Sequence, residues 1–251
     1  MLAIIGGSGL DRFAALESTR QVTVATPYGE PSAPLVFGRL NQCDVVFLPR
    51  HGANHRLPPH QINYRANVWA LQAQGVKHVV AVATVGGIGA GFGAGTLAIP
   101  DQIIDYTWGR TSTYFDGGGD DGGGQVKHID FTQPYCEALR LRLARAAQRA
   151  GEPVRAGGVY AATQGPRLES AAEIARLARD GAHMVGMTGM PEAALARELG
   201  LCYATLAVVV NAAAGTGAST HAIDLPQAEA LGRNLMARVI KILEATVADG
   251  D

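Results

Sequence analysis

Residues 181–211 read GAHMVGMTGMPEAALARELGLCYATLAVVVN, a stretch in which a helical pattern lies between two apolar runs. Pro191 predicts the first turn of this helix, because the N–H that proline lacks would have no partner there. Glu192 is expected to complement the helix dipole, and Gly200 predicts the end of the helix. The succession of strand, helix and strand is typical of an α/β fold.

The two apolar runs of this stretch both end at polar residues. The first run ends at Met187 and Thr188, and the second, residues 203–210, has the pattern of a buried strand and ends at Asn211. Open α/β sheets bind ligands at the ends of their strands. Thr188 and Asn211 are therefore candidates for a ligand site.

The composition is typical of one globular α/β domain that spans residues 1–251. Apolar runs alternate with helical patterns, which predicts a central mixed sheet of at least about seven strands flanked by helices. The formal net charge of −1 gives no reason to expect nucleic acid or a membrane as partner. A Gly-rich segment, residues 116–125, predicts a flexible loop within the domain, either a gate over a site or simple disorder.

The three cysteines, Cys43, Cys136 and Cys202, are widely spaced and lack the paired spacing of a zinc site. They favour a reduced, cytoplasmic setting without structural zinc. The chain begins with a strand-like run at residues 2–5, so we expect no signal peptide. No apolar run is long enough to predict a membrane span.

Side chains that can bind an anion follow several of the predicted strands. Each is a hydroxyl, guanidinium or imidazole group just past an apolar run: Ser8, Arg50, His51, Thr84 and Thr188. If the strand ends converge, these donors form a phosphate-sized cradle that needs neither a Walker lysine nor a metal.

The basic segment at residues 49–60 has two other interpretations. Its three histidines could be metal ligands, but a glycine and two prolines oppose the helix that would align His51 with His55. The segment could also be a solvent-exposed basic loop. We expect an anion site and no metal.

Glu169 and Asn211 could bind a heterocycle beside this cradle. Glu169 precedes a predicted helix at residues 170–179, where an acid usually stabilises the dipole at the surface. In a pocket, its carboxylate would instead accept a hydrogen bond from a ligand N–H. Met187 could then lie under a sugar.

Five motifs in order resemble those of a known family. They are Gly-Gly-Ser-Gly-Leu at 6–10, Arg-His-Gly-x-x-His at 50–55, Asn-Tyr-Arg-Ala-Asn at 63–67, Gln-Gly-Pro-Arg at 164–167, and Met-Thr-x-x-Pro-Glu-x-x-Leu-Ala-Arg-Glu at 187–198. Together they are similar to the trimeric purine nucleoside phosphorylases, in particular to the 5′-methylthioadenosine phosphorylase branch. The resemblance covers nearly the whole chain.

The resemblance implies a homotrimer in which inorganic phosphate, as co-substrate, attacks C1′ of a purine nucleoside, with no other cofactor. It implies that the five anion-binding side chains bind phosphate, while Met187 and Leu168 contact the nucleoside. It also implies that His128 reaches the 5′ pocket of a neighbouring subunit.

The chain departs from the adenine-specific members at the end of its last strand. Those members carry Asp-Tyr-Asp where this chain has Asn211, Ala212 and Ala213. An amide can donate to O6 and accept from N7–H of a 6-oxopurine, and Glu169 matches the acid that 6-oxopurine phosphorylases place against N1–H. The wrong purine would leave buried groups unpaired. We therefore expect hypoxanthine as the leaving base, with Asn211 and Glu169 as the catalytic groups.

The segment at residues 221–225 is expected to contact the 5′ group. Ile223 and Leu225 are typical of a pocket for a thioether, whereas His221 would suit a 5′-hydroxyl. The expected substrate is S-methyl-5′-thioinosine, and the alternatives are 5′-methylthioadenosine and inosine or guanosine. A module that binds a nucleoside or phosphate without catalysis is the alternative outside enzymes.

Overall fold

The computed structural model of the chain describes residues 1–10, 12–117 and 126–249. Its described part contains eleven strands and five α-helices. The strands are β1 (Leu2–Gly6), β2 (Glu17–Val22), β3 (Leu35–Leu40), β4 (Cys43–Pro49), β5 (His78–Gly87), β6 (Leu97–Ile99), β7 (Gln102–Asp105), β8 (Val154–Ala156), β9 (Val159–Ala162), β10 (Met184–Gly186) and β11 (Cys202–Ala212). The helices are α1 (Tyr64–Ala73), α2 (Glu137–Arg149), α3 (Ala171–Arg179), α4 (Gly189–Glu198) and α5 (Leu225–Ala248).

All described strands join one mixed sheet, which confirms the predicted architecture. The main path runs β2-β3-β4-β1-β5-β10-β9-β7, and β11 pairs with β5 and β6, while β6 also pairs with β8. Strands β4, β1, β5 and β11 lie side by side in this order, and each is parallel to the next. Strand β10 is antiparallel to β5. The parallel strands therefore end at one edge of the sheet, where ligands are expected to bind.

The helices cover both faces of the sheet because the central strands alternate their side chains between two cores. Ala3 and Ile5 of β1 pack with residues of α1 and α4, such as Val68 and Leu195. The intervening Leu2 and Ile4 pack on the other face, with α2 and α5 side chains such as Leu139, Leu143, Leu235 and Val239. A smaller core places α3 against β9 and β10.

The helix starts follow local capping chemistry. The side chain of Asn63 accepts a hydrogen bond from the Ala66 N–H at the start of α1. Ser170 and Glu173 form a reciprocal capping box at the start of α3, which fixes where the preceding loop ends. The Asp224 side chain accepts a hydrogen bond from the Gln227 N–H at the start of α5, which fixes where the segment at 221–225 ends.

Several local predictions can be compared directly with this structure. Pro100 and Asp101 separate β6 from β7, because proline lacks the N–H that a strand ladder needs. Gly200 follows α4 with a positive φ of 69°, which only glycine adopts readily. The predicted flexible loop at 116–125 falls largely on residues 118–125, which lie outside the described residues.

The prediction that all cysteines are reduced is wrong for two of them. Cys136 and Cys202 form a disulfide between the residue before α2 and the first residue of β11. Their separation of 66 residues hid this pairing, because spacing along the chain does not report which Cα atoms approach each other. Cys43 is free. The cytoplasmic location stays a prediction. Within the described ranges, no helix has the length and apolar character needed to cross a membrane.

Candidate active site

A cavity of about 780 Å³ lies at the ends of β1, β4, β5, β10 and β11. Eleven of the thirteen predicted site residues line it: Ser8, Arg50, His51, Thr84, Leu168, Glu169, Met187, Thr188, Asn211, Ala213 and Ile223. The ends of four parallel strands and of the antiparallel β10 thus bring together donors that are far apart in the sequence. Ala212 and His128 are the two that do not line this cavity.

The glycine turn after β1 lies directly against the arginine of the site. A Cβ atom on Gly7 would lie 2.6 Å from the Val82 carbonyl oxygen and 3.0 Å from Arg50 Nη1. Any larger residue would therefore push the turn away from the neighbouring strand end. The absence of a side chain at Gly7 lets Ser8 line the cavity beside Arg50.

Arg50 is buried and forms a two-point ion pair with Glu192 of α4. Its Nε donates to Glu192 Oε2 at 2.7 Å, and its Nη2 donates to Glu192 Oε1 at 2.9 Å. Burial alone would lower the pKa of Arg50, but the Glu192 carboxylate outweighs it and raises that pKa. The guanidinium is therefore a fixed cation at the cavity wall.

Glu192 lies in the first turn of α4, as expected of an acid that complements the helix dipole, but its direct partner is Arg50. Glu192 is fully buried, and both of its carboxylate oxygens bind Arg50. The Tyr203 hydroxyl also donates to Glu192 Oε1 at 2.8 Å. Burial, reinforced by Glu192, raises the pKa of Tyr203, so the phenol remains a neutral donor.

Arg50 keeps donors for a ligand despite this pairing. A guanidinium has five N–H groups. Two bind Glu192, and a third, on Nη1, donates to the Val82 carbonyl at 3.0 Å. The remaining two N–H groups belong to Nη1 and Nη2, on a side chain that lines the cavity. The arrangement can bind an oxyanion while the ion pair holds the side chain in place.

His51 is a neutral group in this cavity. Its Nδ1 lies 2.8 Å from the Leu57 carbonyl, which can only accept, so Nδ1 carries the hydrogen. Burial, together with the Arg50 charge, lowers the pKa of His51 to about 3. Its Nε2 is then an acceptor, suited to the P–O–H of hydrogen phosphate. The ring stacks on His55 with centroids 4.1 Å apart.

Thr84 and Thr188 add hydroxyl groups from two further elements. Thr84 belongs to β5, and Thr188 is the residue before α4. The Thr188 N–H points to the buried Tyr160 hydroxyl at 3.4 Å, so the backbone here is tied to β9. Both threonines line the same cavity as Arg50 and His51. The donors predicted for an anion therefore do line one cavity.

Asn211 reaches the cavity at an irregularity in β11. The pairing of β11 with β5 shifts between Val209 and Asn211, which leaves Val210 as an extra residue. A bulge of this kind re-aims the side chain that follows it. Asn211 Nδ2 donates to the Ala212 carbonyl at 2.7 Å, which holds the amide and leaves Oδ1 and one N–H for a ligand.

Glu169 lies in the loop between β9 and α3 and is positioned by a threonine. The Thr163 hydroxyl donates to Glu169 Oε1 at 2.6 Å. Glu169 is half-buried, so its second oxygen can face a ligand. Gly165 of this loop has a φ of +62°, and a Cβ there would lie 2.3 Å from Met187 Sδ. The loop thus packs directly on the residue expected under the sugar.

The segment before α5 completes the cavity with apolar side chains. Ile223 and Leu225 line it, whereas His221 is exposed and does not. Of the two alternatives for the 5′ group, the apolar pair therefore faces the cavity and the histidine does not. His128 is exposed at the surface of the described chain. Its predicted contact with a neighbouring subunit stays a prediction.

Three groups of lining or supporting residues were missed from the sequence. Glu192 was noted only as an acid at a helix start, and its contact with Arg50 was not expected. The start of α5 was not singled out as part of a site, yet it contributes Ala228, Glu229, Gly232 and Arg233. Arg110, which lies outside every motif, binds the loops on two sides of the cavity. Of these three groups, only the residues of α5 had a signal in the sequence, namely their helical spacing.

The chemistry of this cavity is that of a buried anion site next to a site for a polar heterocycle. Among residues 1–10, 12–117 and 126–249, no group of three or more His, Cys, Asp or Glu side chains could hold a metal ion. A protein-family model described as the phosphorylase superfamily matches residues 1–248. The chain belongs to the phosphorylase superfamily.

Relatives of this phosphorylase share most of its length. The probable S-methyl-5′-thioinosine phosphorylase of Xanthomonas campestris pv. campestris is 55% identical over 216 residues, which are 86% of this chain and 85% of the relative. The 6-oxopurine nucleoside phosphorylase of Pyrococcus furiosus is 47% identical over 215 residues, which are 85% of this chain and 80% of the relative.

A solved structure shares the fold of this phosphorylase. The methylthioadenosine phosphorylase from Schistosoma mansoni in complex with adenine superposes with a TM-score of 0.91 at 32% identity, over 98% of this chain and 90% of that chain. The family, the fold and the relatives identify the chain as a nucleoside phosphorylase, an enzyme that transfers a pentosyl group to phosphate.

Proposed function

We propose that this enzyme cleaves the N-glycosidic bond of S-methyl-5′-thioinosine with inorganic phosphate, giving hypoxanthine and 5-methylthioribose 1-phosphate. The observation that carries the proposal is the amide of Asn211 at the cavity, together with the carboxylate of Glu169. An amide offers both a donor and an acceptor, and a carboxylate offers acceptors only. This set matches O6, N7–H and N1–H of a 6-oxopurine.

The phosphate end supplies orientation rather than proton transfer. The free N–H groups of Arg50 and the hydroxyls of Ser8, Thr84 and Thr188 bind the oxygens of hydrogen phosphate. The neutral imidazole of His51 accepts its remaining hydrogen. Because Arg50 is already fixed by Glu192, no reorganisation of charge is needed when phosphate binds.

The purine end stabilises the leaving group. As the bond from C1′ to N9 lengthens, C1′ gains oxocarbenium character and negative charge builds on the purine. Neutral hypoxanthine leaves only after a proton from solvent reaches N7. Asn211 accepts from that N7–H and donates to O6, and the bond to O6 strengthens as charge builds there, while Glu169 accepts from N1–H and orients the base. Phosphate, held on the other side of the ribose, then forms the new bond to C1′. No cofactor is needed for this reaction.

The 5′ end distinguishes the methylthio group from a hydroxyl. Ile223 and Leu225 present apolar surface, and no described residue among 221–225 other than these two lines the cavity. A thioether loses little on leaving water, whereas a buried hydroxyl without a partner is disfavoured. The name of the Xanthomonas relative supports the same assignment.

Two alternatives have specific support. The Pyrococcus relative is named for 6-oxopurine nucleosides, which favours inosine or guanosine as second candidates. The Schistosoma structure was determined with adenine, which keeps 5′-methylthioadenosine as a third. The three candidate reactions use the same phosphate site. The three nucleosides differ only in the purine and in the 5′ group.

The deciding experiment compares the three nucleosides side by side. Initial rates of free-base release are measured with methylthioinosine, methylthioadenosine and inosine, each with and without phosphate. We expect phosphate-dependent release of hypoxanthine and the highest kcat/KM with methylthioinosine. A higher value with methylthioadenosine would overturn the purine assignment, and a higher value with inosine would overturn the 5′ assignment. Binding without release would make the protein a binding module.

We also infer that the enzyme is a homotrimer. Trp108 is 72% exposed and Val126 is 69% exposed, which is unusual for large apolar side chains on an isolated subunit. His128 lies close to Val126 in the sequence and does not line the cavity of its own chain. Light scattering coupled to gel filtration is expected to give three times the mass of one chain. A monomer with full activity would remove His128 from the site.

A further inference from the structure

We propose that Arg110 is a positioning residue that holds three walls of the cavity in register without touching the substrate. Arg110 lies in the loop after β7, is half-buried, and does not line the cavity. Arg110 belongs to none of the five motifs that resemble the nucleoside phosphorylases. Its role follows from the set of oxygen atoms that surround its guanidinium.

The first wall carries the ribose and phosphate residues. Arg110 Nη1 donates to the Met187 carbonyl at 2.8 Å and to the Met190 carbonyl at 2.6 Å. These two carbonyls flank Thr188, which lines the cavity beside Arg50. The guanidinium thereby fixes the backbone on both sides of a phosphate ligand.

The second wall carries the purine residues. Arg110 Nη2 donates to the Thr163 carbonyl at 3.2 Å and to the Gln164 carbonyl at 2.8 Å, and Nε donates to Gln164 Oε1 at 3.2 Å. Thr163 also holds Glu169 through its hydroxyl. One cation therefore ties the loop that positions Glu169 to the segment that positions Thr188.

The third wall is the basic segment after β4. Arg110 Nη1 also donates to the Tyr64 hydroxyl at 3.3 Å, and that hydroxyl donates to the Pro59 carbonyl at 2.9 Å. Pro59 lines the cavity. The guanidinium lies over the Tyr64 ring, 5.5 Å from its centroid, which adds a cation–π contact.

Six oxygen acceptors around one side chain require a planar fork of donors. The guanidinium provides five N–H groups in fixed directions, whereas an ammonium provides three donors around a point. Lysine at this position would leave carbonyls without partners, and these would turn away or take up water. The residue requirement is therefore for a guanidinium and not for a positive charge alone.

Replacement of Arg110 is expected to affect both substrates at once. In Arg110→Ala, the KM for phosphate and the KM for the nucleoside both rise, and kcat/KM falls about 100-fold, because misplacement of reacting groups by about 1 Å has effects of this size. Arg110→Lys is expected to recover little. Millimolar guanidinium ion should restore part of the activity of Arg110→Ala, and methylammonium at the same concentration should not.

The matched control is Arg140→Ala. Arg140 is half-buried like Arg110, with 13% of its side chain exposed, and donates to the Pro100 carbonyl at 2.8 Å, away from the cavity. We expect Arg140→Ala to keep both KM values and to show no response to guanidinium. A loss of folded protein alone would lower the maximal rate of Arg110→Ala without changing either KM, and that result would overturn the proposal.

The proposal takes its kinetic readout from the proposed function, so a second measurement uses no substrate. Amide hydrogen exchange in Arg110→Ala and Arg110→Lys should increase in residues 163–169 and 187–191, and not in the strands of the central sheet. If the wild-type enzyme releases no hypoxanthine, the proposed function fails while the exchange result still tests Arg110. Unchanged exchange in both segments would overturn the positioning role, whatever the substrate.

Discussion

The two ends of the cavity, the proposed phosphate end and the proposed purine end, are built in different ways. At the phosphate end, Arg50 is 1% exposed and is held by a fully buried carboxylate at two points. At the purine end, Glu169 and Asn211 are only half-buried, and each is held by one neighbouring group. The first end belongs to the core of the protein, and the second belongs to its loops and strand termini.

This difference indicates which part of the site can change without loss of the fold. Breaking a buried ion pair leaves an uncompensated charge in the core, so the phosphate end is linked to stability. A half-buried amide or carboxylate can be exchanged at a smaller energetic cost, so the purine end can change specificity. The predictions below test this contrast, from the largest expected effect to the smallest.

Glu192→Gln should give the largest effect. The amide cannot balance the buried Arg50 charge, so the free energy of unfolding should fall by about 3–5 kcal/mol, and the KM for phosphate should rise. Urea unfolding and phosphate titration measure the two effects. Asp44→Asn is the control, because the Arg39–Asp44 pair is exposed and should contribute little. Equal stability of the two variants would show that the pair does not organise the phosphate end.

Asn211→Asp should change specificity more than stability. A carboxylate accepts from a 6-amino group and repels O6, so the ratio of kcat/KM for methylthioinosine over methylthioadenosine should fall about 100-fold. Initial rates with the two nucleosides give this ratio. Asn63→Asp introduces the same change at the cap of α1, outside the cavity, and should leave the ratio unchanged. An unaltered ratio in Asn211→Asp would remove that residue from contact with the purine.

His51 should make stability depend on pH. Its pKa of about 3 in the folded protein is below the ordinary value of 6.5, because burial opposes the charged form. Above pH 6.5, His51 is neutral in both states and does not affect stability. Below pH 6.5, His51 of the unfolded chain binds a proton, whereas His51 of the folded protein does not. Between pH 7 and pH 5 this should reduce the free energy of unfolding by about 2 kcal/mol.

Urea unfolding of the wild type and of His51→Gln at pH 7, 6 and 5 measures this contribution. The variant should lose less stability than the wild type as the pH falls, and the difference between the two slopes isolates His51. Parallel slopes would mean that His51 is protonated as easily in the folded protein as in the unfolded chain.

Ile223→His should give the smallest effect. An imidazole at this position offers a partner to a 5′-hydroxyl and removes apolar surface from a thioether, so the preference for methylthioinosine over inosine should fall about tenfold. His221→Ala is the control, because His221 does not line the cavity. A larger change in His221→Ala than in Ile223→His would reverse the assignment of the 5′ end.

The convergence of the predicted polar side chains on one cavity was predictable because it follows from strand ends. Ser8, Thr84 and Asn211 each follow or end an apolar run, and parallel strands bring their ends to one edge of a sheet. The same pattern predicted the mixed sheet and most of its helices. Local chemistry was enough for these features, since apolar runs, glycines and prolines act on their own neighbours.

The contacts that hold these side chains in place were not predictable. Arg50 and Glu192 are 142 residues apart, and nothing near either residue indicates that they meet. Arg110 gathers carbonyl groups from segments 53 to 80 residues away, and backbone carbonyls have no signature in a sequence. The bulge at Val210 and the Cys136–Cys202 disulfide likewise depend on which strands pair.

The amino-acid sequence by itself determined the strands, the helices and the polar residues at the strand ends, because these depend on periodicity and on local backbone preferences. Only the tertiary structure decided that Glu192 faces Arg50, that Ile223 rather than His221 lines the cavity, and that Arg110 ties the loops together. The physical reason is that burial and hydrogen-bond partners are properties of packed surfaces, which bring together residues that the chain keeps far apart.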